Sequence, residues 1–251
     1  MADENIENVN ISAWVASNGI TLQRGSGGEV SVDDFNAMLA KIKYITPYCF
    51  SYIQKDCANS GLTSVSFQQL IRIKKQGLYY AFYGCTSLTS VSFPKLTTID
   101  ESGLTYAFYK CTSLTSLSFP ELTTINRNGL YCAFPECTGL TSLSFPELRS
   151  VDERGLNNAF NECTSLTSVS FPELTSVGLY GLDSAFMNCT GLTSVSFPEL
   201  TSVGLYGLSD AFYECTNLKE VHFHYSLEGN SQCTVSNMGC SNATVYFDLG
   251  K

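Results

Sequence analysis

The chain has 251 residues, of which 44% are hydrophobic and only 15% are charged, a balance that argues against intrinsic disorder. Its formal net charge of −9 argues against nucleic acids and anionic membrane surfaces as partners, because both require a basic face. No apolar run approaches the ~18 residues of a membrane-spanning helix, so no membrane insertion is expected.

Residues 1–52 are predicted to form an N-terminal cap. The acidic start lacks the apolar core of a signal peptide, so we expect no export signal in this chain. Ser31 followed by Asp34 resembles a capping box. Apolar residues then share one helical face, which predicts a helix near residues 32–43. The single tryptophan, Trp14, is expected to pack in this cap.

Residues 53–225 are predicted to form a solenoid with a period of 26 residues. Phenylalanine recurs at that spacing from Phe67 to Phe223, and cysteine does so from Cys85 to Cys215. A fixed period of this length is typical of repeat architectures. A single unit has too few apolar groups to offset the entropy of ordering its chain, so each unit must be buried against its neighbours.

Each unit combines two kinds of local pattern. In "LTSVSFP", Val91 and Phe93 alternate with serines, which predicts a short strand with inward apolar groups that Pro94 ends. The stretch "LTTI" at residues 96–99 predicts another inward-pointing edge. In "GLYYAFYGC" the apolar residues follow the spacing of one face of a short helix, at Leu78, Ala81, Phe82 and Cys85.

Residues 226–251 are predicted to form a C-terminal cap, because the repeat pattern ends after Tyr225. The stretch "ATVYF", from Ala243 to Phe247, predicts a closing strand within this cap.

The repeat resembles a known family. Leu88-x-x-Val91-x-Phe93 resembles the strand half of a leucine-rich repeat, and "GLxxAFxxCTSLTSVSFP" resembles the BspA-type class over roughly residues 53–225. The resemblance implies an α/β repeat solenoid, a right-handed superhelix. It would carry a short-stranded parallel sheet on its concave side and short helices on its convex side. The asparagine that usually follows the strand is replaced by leucine at residues 96, 122, 148, 174 and 200.

The same resemblance implies a function. Members of this class occur mainly on bacterial surfaces, which implies non-enzymatic binding of a protein or glycan in adhesion or recognition, at the cell surface or outside the cell. The alternative is a structural spacer or phage virion component, located in a virion or in the cytoplasm. These alternatives remain open at this point.

No residue pattern points to catalysis or to a cofactor. The repeated glutamates of "FPEL" are expected to form a solvated row, and no nucleophile motif occurs. His222 and His224, with Cys233 and Cys240, are ligand types that suit zinc, but they lack a recognised zinc spacing. We therefore expect no metal, and interpret the histidines as a last strand released from the repeat pattern.

The cysteines of the repeat are expected to be buried free thiols, because side chains stacked at one position run parallel and do not face each other. Cys132 occupies a position that other units fill with Tyr, Asn, Ser or Asp, so it is expected to be exposed. A disulfide between Cys233 and Cys240 is left open as an alternative.

Two surfaces are candidates for binding. Outward serines form ladders that could serve as a ligand platform or as a neutral surface, represented by Ser92, Ser118 and Ser144. Tyrosines at variable positions of adjacent units are expected to form an aromatic strip, comprising Tyr79, Tyr80, Tyr83, Tyr106, Tyr109 and Tyr131. The alternative interpretation is that tyrosine covers the seams between turns at positions that are otherwise unconstrained.

Overall fold

The computed structural model describes residues 32–42, 44–45 and 62–250. The predictions for Trp14 and Ser31, and the boundary predicted at residue 52, lie outside these residues. An α-helix, α1, spans Val32–Leu39, inside the segment where the sequence predicts one.

Parallel strands run through the described part of the chain in two ladders. The first ladder contains seven two-residue strands, in which each strand pairs with the equivalent strand of the next turn. Its members are Tyr44–Ile45 (β1), Arg72–Ile73 (β3), Thr98–Ile99 (β5), Thr124–Ile125 (β7), Ser150–Val151 (β9), Ser176–Val177 (β11) and Ser202–Val203 (β13). The ladder therefore starts inside the segment expected to be the N-terminal cap.

The second ladder consists of the longer strands. They are Ser64–Ser66 (β2), Ser90–Ser92 (β4), Ser116–Ser118 (β6), Ser142–Ser144 (β8), Ser168–Ser170 (β10), Ser194–Phe197 (β12), Glu220–His224 (β14) and Thr244–Leu249 (β15). It is divided between β6 and β8 into sheets of three and five strands. Equivalent residues of neighbouring units pair with each other. Ser168, for example, pairs with Ser194 and with Ser142.

The short helices predicted between the strands do not form, so the helical part of the α/β prediction is wrong. In their place the chain makes consecutive four-residue turns. The Ala81 N–H donates to the Leu78 carbonyl three residues back (3.1 Å), whereas the Phe82 N–H donates to the Ala107 carbonyl of the next turn (2.7 Å). An α-helix would direct both groups along its own axis, so bonding to the neighbouring turn excludes it.

Positive φ angles also interrupt helix formation at every fourth residue. In the first of these turn series they occur at Gln76 (54°), Tyr80 (56°) and Gly84 (70°). The residues at the same positions of the five following units also have positive φ, in the left-handed region. Isolated left-handed residues are compatible with turns but not with a right-handed helix.

The apolar positions of the repeat form one continuous core, as the sequence predicts. Leu78, Ala81, Phe82 and Cys85 are fully buried, as are their equivalents along the chain apart from slight exposure at Cys215. The phenylalanines stack in two columns with centroid distances of 5.1 Å to 5.9 Å between successive turns. Every turn thus covers the aromatic rings of the turn before it.

The C-terminal segment closes this core. It contains two 3-10 helices, at Tyr225–Leu227 and Ser231–Cys233, and a short α-helix, α2, at Val235–Met238. Strand β15 then pairs in parallel with β14, which places the predicted closing strand in the second ladder.

The cysteines of the repeat are buried and free as predicted, with the exception of Cys85. Five cysteines of the ladder are free and buried, and each donates its thiol to a phenylalanine carbonyl of the preceding turn, at residues 111, 137, 163, 189 and 215. Cys85, which begins this ladder, is disulfide-bonded, whereas the sequence predicts a free thiol. Cys233 and Cys240 are both free, so they do not form the disulfide that the sequence left open.

Candidate functional site

The six tyrosines singled out in the sequence lie together on the surface of the turn series. We call them the tyrosine cluster: Tyr79, Tyr80, Tyr83, Tyr106, Tyr109 and Tyr131. All six are half-buried. Tyr80 stacks on Tyr106 with ring centroids 4.7 Å apart, and Tyr83 stacks on Tyr109 at 5.1 Å.

The edges of the cluster have a different geometry. The Tyr79 ring meets Tyr80 edge-on at 4.6 Å, and the Tyr131 ring meets Tyr106 edge-on at 5.7 Å. Rings that stack along the axis cover each other's faces. Tyr79 and Tyr131 meet their neighbours edge-on, so they do not continue these stacks.

The repeat itself produces these stacks. Tyr80 and Tyr106 occupy the same left-handed position in consecutive units, and the Tyr80 N–H donates to the Thr105 carbonyl of the next turn (3.1 Å). Side chains at equivalent positions consequently point the same way, about one strand spacing apart.

Cys132 lies beneath this cluster and is buried, contrary to the prediction that it is exposed. The phenols of Tyr106 and Tyr131 lie near its thiol and act to lower its pKa. Burial raises the pKa of the Cys132 thiol, and burial also raises the pKa of Tyr106 and of Tyr131. Cys132, Tyr106 and Tyr131 are therefore uncharged at neutral pH.

Tyr109 is fixed by a second contact. Its hydroxyl donates a hydrogen bond to Glu136 Oε1 (2.8 Å), and this bond, with burial, raises the pKa of Tyr109 to about 12. The carboxylate thus holds the outer stack of the cluster in one orientation.

A groove with a volume of about 680 Å³ runs beside the cluster across five successive turns. We call it the tyrosine groove. It is lined by Gln76, Tyr79, Ser102, Thr105, Tyr106, Asn128, Tyr131, Arg154, Asn157, Tyr180 and Asp183. Three members of the tyrosine cluster, Tyr79, Tyr106 and Tyr131, form its aromatic end.

Sequence reasoning missed several of these residues as site residues. Gln76, Ser102, Asn128, Arg154 and Tyr180 all immediately precede a Gly-Leu pair, and all have positive φ. The signal available in the sequence was variation at this position among units that are otherwise nearly identical.

The far end of the groove carries its charged groups. The guanidinium of Arg154 lies over the Tyr180 ring, 5.3 Å from the centroid. The Asn157 amide donates to Asp183 Oδ2 (2.8 Å), and the Ser184 hydroxyl donates to Asp183 Oδ1 (3.1 Å). Burial raises the pKa of Asp183 in spite of these bonds, since removal of water disfavours the charged form.

The predicted serine platform lies elsewhere. Ser92 and Ser118 are half-buried and Ser144 is exposed, each pointing outward beside an inward-facing residue of its strand. None of the three lines the tyrosine groove.

The structure does not assemble the zinc ligands considered from the sequence. His222 Nδ1 lies 3.1 Å from Asp248 Oδ1, and the His222 ring stacks on Tyr246. His224 Nδ1 instead contacts the Ser226 hydroxyl (2.8 Å). Within residues 32–42, 44–45 and 62–250, no three His, Cys, Asp or Glu side chains are placed to hold a metal ion.

A family model described as the BspA type leucine rich repeat region matches six copies, over residues 77–206 and 182–248. The chain belongs to this family. The fold of this BspA-type protein agrees with that assignment, because its parallel strands repeat once per unit.

The BspA-type chain is also similar to a solved structure, a leucine rich cell surface protein from Faecalibacterium prausnitzii A2-165. The two are 18% identical with a TM-score of 0.37, and the alignment covers 76% of this chain and 61% of the other. The chain thus spans less than two thirds of the length of that protein. A search of curated proteins found no match.

No helix in the part of the BspA-type chain that the structure describes has the length and apolar character needed to cross a membrane.

Proposed function

We propose that this protein is a non-enzymatic binding module at a cell surface, and that the tyrosine groove recognises its partner in adhesion to a host or neighbouring cell. The observation that carries this proposal is the convergence of half-buried tyrosines on one elongated groove. Membership of the BspA-type family supports a binding role and a surface location.

The distribution of variation along the chain supports the same site. Residues 163–188 and 189–214 differ at only five of twenty-six positions. The core positions repeat almost unchanged from unit to unit, whereas the groove positions change from Gln76 to Asn128 to Arg154. A surface built for recognition needs chemical variety on a constant scaffold.

Tyrosine suits this task for physical reasons. It presents a large amphipathic surface while losing few rotamers on binding, and the stacks of the tyrosine cluster restrict those rotamers in advance. The ionisable groups of the groove are Arg154, Asp183 and the tyrosines, a set that lacks the nucleophile and neighbouring base that hydrolysis requires.

Binding of the fluorescently labelled full chain to epithelial and bacterial cells, measured by flow cytometry, tests the proposal. We expect Tyr79→Ala combined with Tyr106→Ala to weaken binding about tenfold or more, because aromatic anchors dominate recognition surfaces. The melting temperature should change little, since the fully buried phenylalanine columns remain intact.

Tyr213→Ala is the matched control, because Tyr213 is 46% exposed and lies outside the groove. Equal binding by the wild type, the double variant and the control would contradict the proposal and favour a structural spacer, which should depend on the number of repeats.

A further inference from the structure

We propose that the tyrosine groove binds a neutral, linear glycan that lies along the axis of the solenoid. This inference rests on the proposed function and names its ligand class.

The chemistry of the groove favours a glycan over a protein. All eleven side chains that line it carry a hydroxyl, an amide or a charged group, and none is aliphatic. The centre of a protein–protein interface is apolar and depleted of charge, and peptide-binding grooves present hydrophobic pockets. A sugar chain instead combines many hydroxyls with apolar C–H ring faces, which require hydrogen-bonding groups beside aromatic rings.

The periodicity of the groove suits a polymer. Its lining comes from five successive turns, and one position of the unit contributes a lining residue in every one of them, at Gln76, Ser102, Asn128, Arg154 and Tyr180. Four steps of the strand spacing give a length of about 19 Å. A chain of linked rings laid along this axis meets one set of polar groups at each turn.

The charges of the groove select a neutral chain. One cation, Arg154, and one carboxylate, Asp183, give the lining no net charge, whereas the whole molecule carries −9. Acidic polysaccharides are therefore repelled by the molecule as a whole and find only one cationic group in the groove.

Arg154 has donors available for a ligand. Arg72 and Arg127 pair with Asp100 and Glu153, but Arg154 has no carboxylate within ion-pair distance among the described residues. Its planar guanidinium lies over Tyr180 and is exposed. A guanidinium in this position can donate several hydrogen bonds to ring oxygens or hydroxyls.

The groove also has a pre-organised acceptor, the Asp183 carboxylate. Asn157 is only 6% exposed; it donates to Asp183 (2.8 Å) and accepts from the Asn158 amide (2.6 Å). These bonds fix the Asp183 carboxylate, whose remaining lone pairs can accept from sugar hydroxyls. A fixed acceptor lowers the entropic cost of binding.

The test uses cells to which the wild-type full chain binds. One sample is treated with mild periodate, which cleaves vicinal diols of surface glycans, and a second sample is treated with protease. We expect periodate to abolish binding. The full chain should bind immobilised neutral linear polysaccharides, and raising the salt concentration should leave this binding unchanged, because no net charge is neutralised.

Calorimetric titration with neutral oligosaccharides of increasing length follows. We expect affinity to rise with length and to level off once the ligand spans the groove. Arg154→Lys, which keeps the charge but loses the planar fork, should weaken binding about tenfold. Arg149→Lys is the matched control, because Arg149 is exposed and does not line the groove.

The outcomes separate this inference from the proposed function. Loss of binding after protease but not after periodate, with dependence on Tyr79 and Tyr106 retained, would overturn the glycan and leave the binding module standing. Salt-sensitive preference for acidic glycans, or equal affinity of the Arg154→Lys and Arg149→Lys variants, would also overturn it. Cell binding that never depends on the groove would remove the proposed function itself.

Discussion

Single residues show how burial controls chemistry in this protein. The thiols of Cys111 and Cys215 donate to the carbonyls of Phe82 (3.3 Å) and Phe186 (3.0 Å), and burial raises the pKa of each to about 12. The thiolate is the reactive form of cysteine, so these residues act as small apolar core groups.

The thiols should be protected in the folded protein. We expect Ellman's reagent at pH 8 to react slowly with the native chain. Unfolding in guanidinium should make at least the eight described free cysteines accessible to the reagent. Rapid reaction of several thiols in the native chain would contradict this burial. Cys132→Ala is the matched variant, because Cys132, at 9%, is the most exposed of the described free cysteines.

The same shifts predict a loss of stability at alkaline pH. The unfolded thiol has a pKa near 9, and the folded Cys111 and Cys215 have raised pKa values of about 12. Their contribution to stability is therefore complete below about pH 9 and is lost as the pH rises towards 12. Melting temperatures measured across this range should fall, and substitution of Cys111 by alanine should reduce the slope.

Among the elements, the series of turns explains why a helix was the wrong interpretation. Residues four apart in the turn series share a face, because left-handed residues recur every fourth position at Gln76, Tyr80 and Gly84. A helix with 3.6 residues per turn produces almost the same apolar spacing over eight residues. The apolar pattern therefore predicts the correct buried residues, but it predicts a helical backbone where the chain forms consecutive turns.

Gly84 offers a direct test of the left-handed geometry. Its φ is +70°, and a Cβ added there would meet nothing within 4 Å, so substitution acts through backbone strain alone. We expect Gly84→Ala to lower the free energy of unfolding by about 1–2 kcal/mol, measured by chemical denaturation.

Gly84→Asn is the matched control, because Asn188 occupies the same position of a later unit with a φ of 61°. Asparagine tolerates this region, so its cost should be clearly smaller than that of alanine. Equal costs for both variants, or no cost for alanine, would contradict the assigned geometry.

For the whole molecule, stability comes from contacts between successive turns. The two phenylalanine columns run from Phe67 to Phe223 and from Phe82 to Phe212, and each unit donates backbone hydrogen bonds to the next. The units are nearly interchangeable, which makes the chain approximately a one-dimensional array with nearest-neighbour interactions.

Deletion of residues 189–214 should therefore leave a folded, shorter solenoid. Cys215 then follows Asn188 and takes the place of Cys189, and the lining of the tyrosine groove, which ends at Asp183, is kept. We expect a cooperative but lower melting transition by circular dichroism, with cell binding retained. An unfolded product, or a folded one that has lost binding, would contradict the independence of groove and C-terminal turns.

The sequence by itself determined the 26-residue period, the inward and outward alternation of the strands, the buried positions and the tyrosine cluster. These properties depend on local alternation and on equivalence between units, and both can be read without knowing the path of the backbone. Only the tertiary structure established the turn series, the burial of Cys132 and the groove from Gln76 to Asp183. The physical reason is that hydrogen bonds and contacts to a turn about 26 residues away determine these features, and local spacing carries no record of such partners.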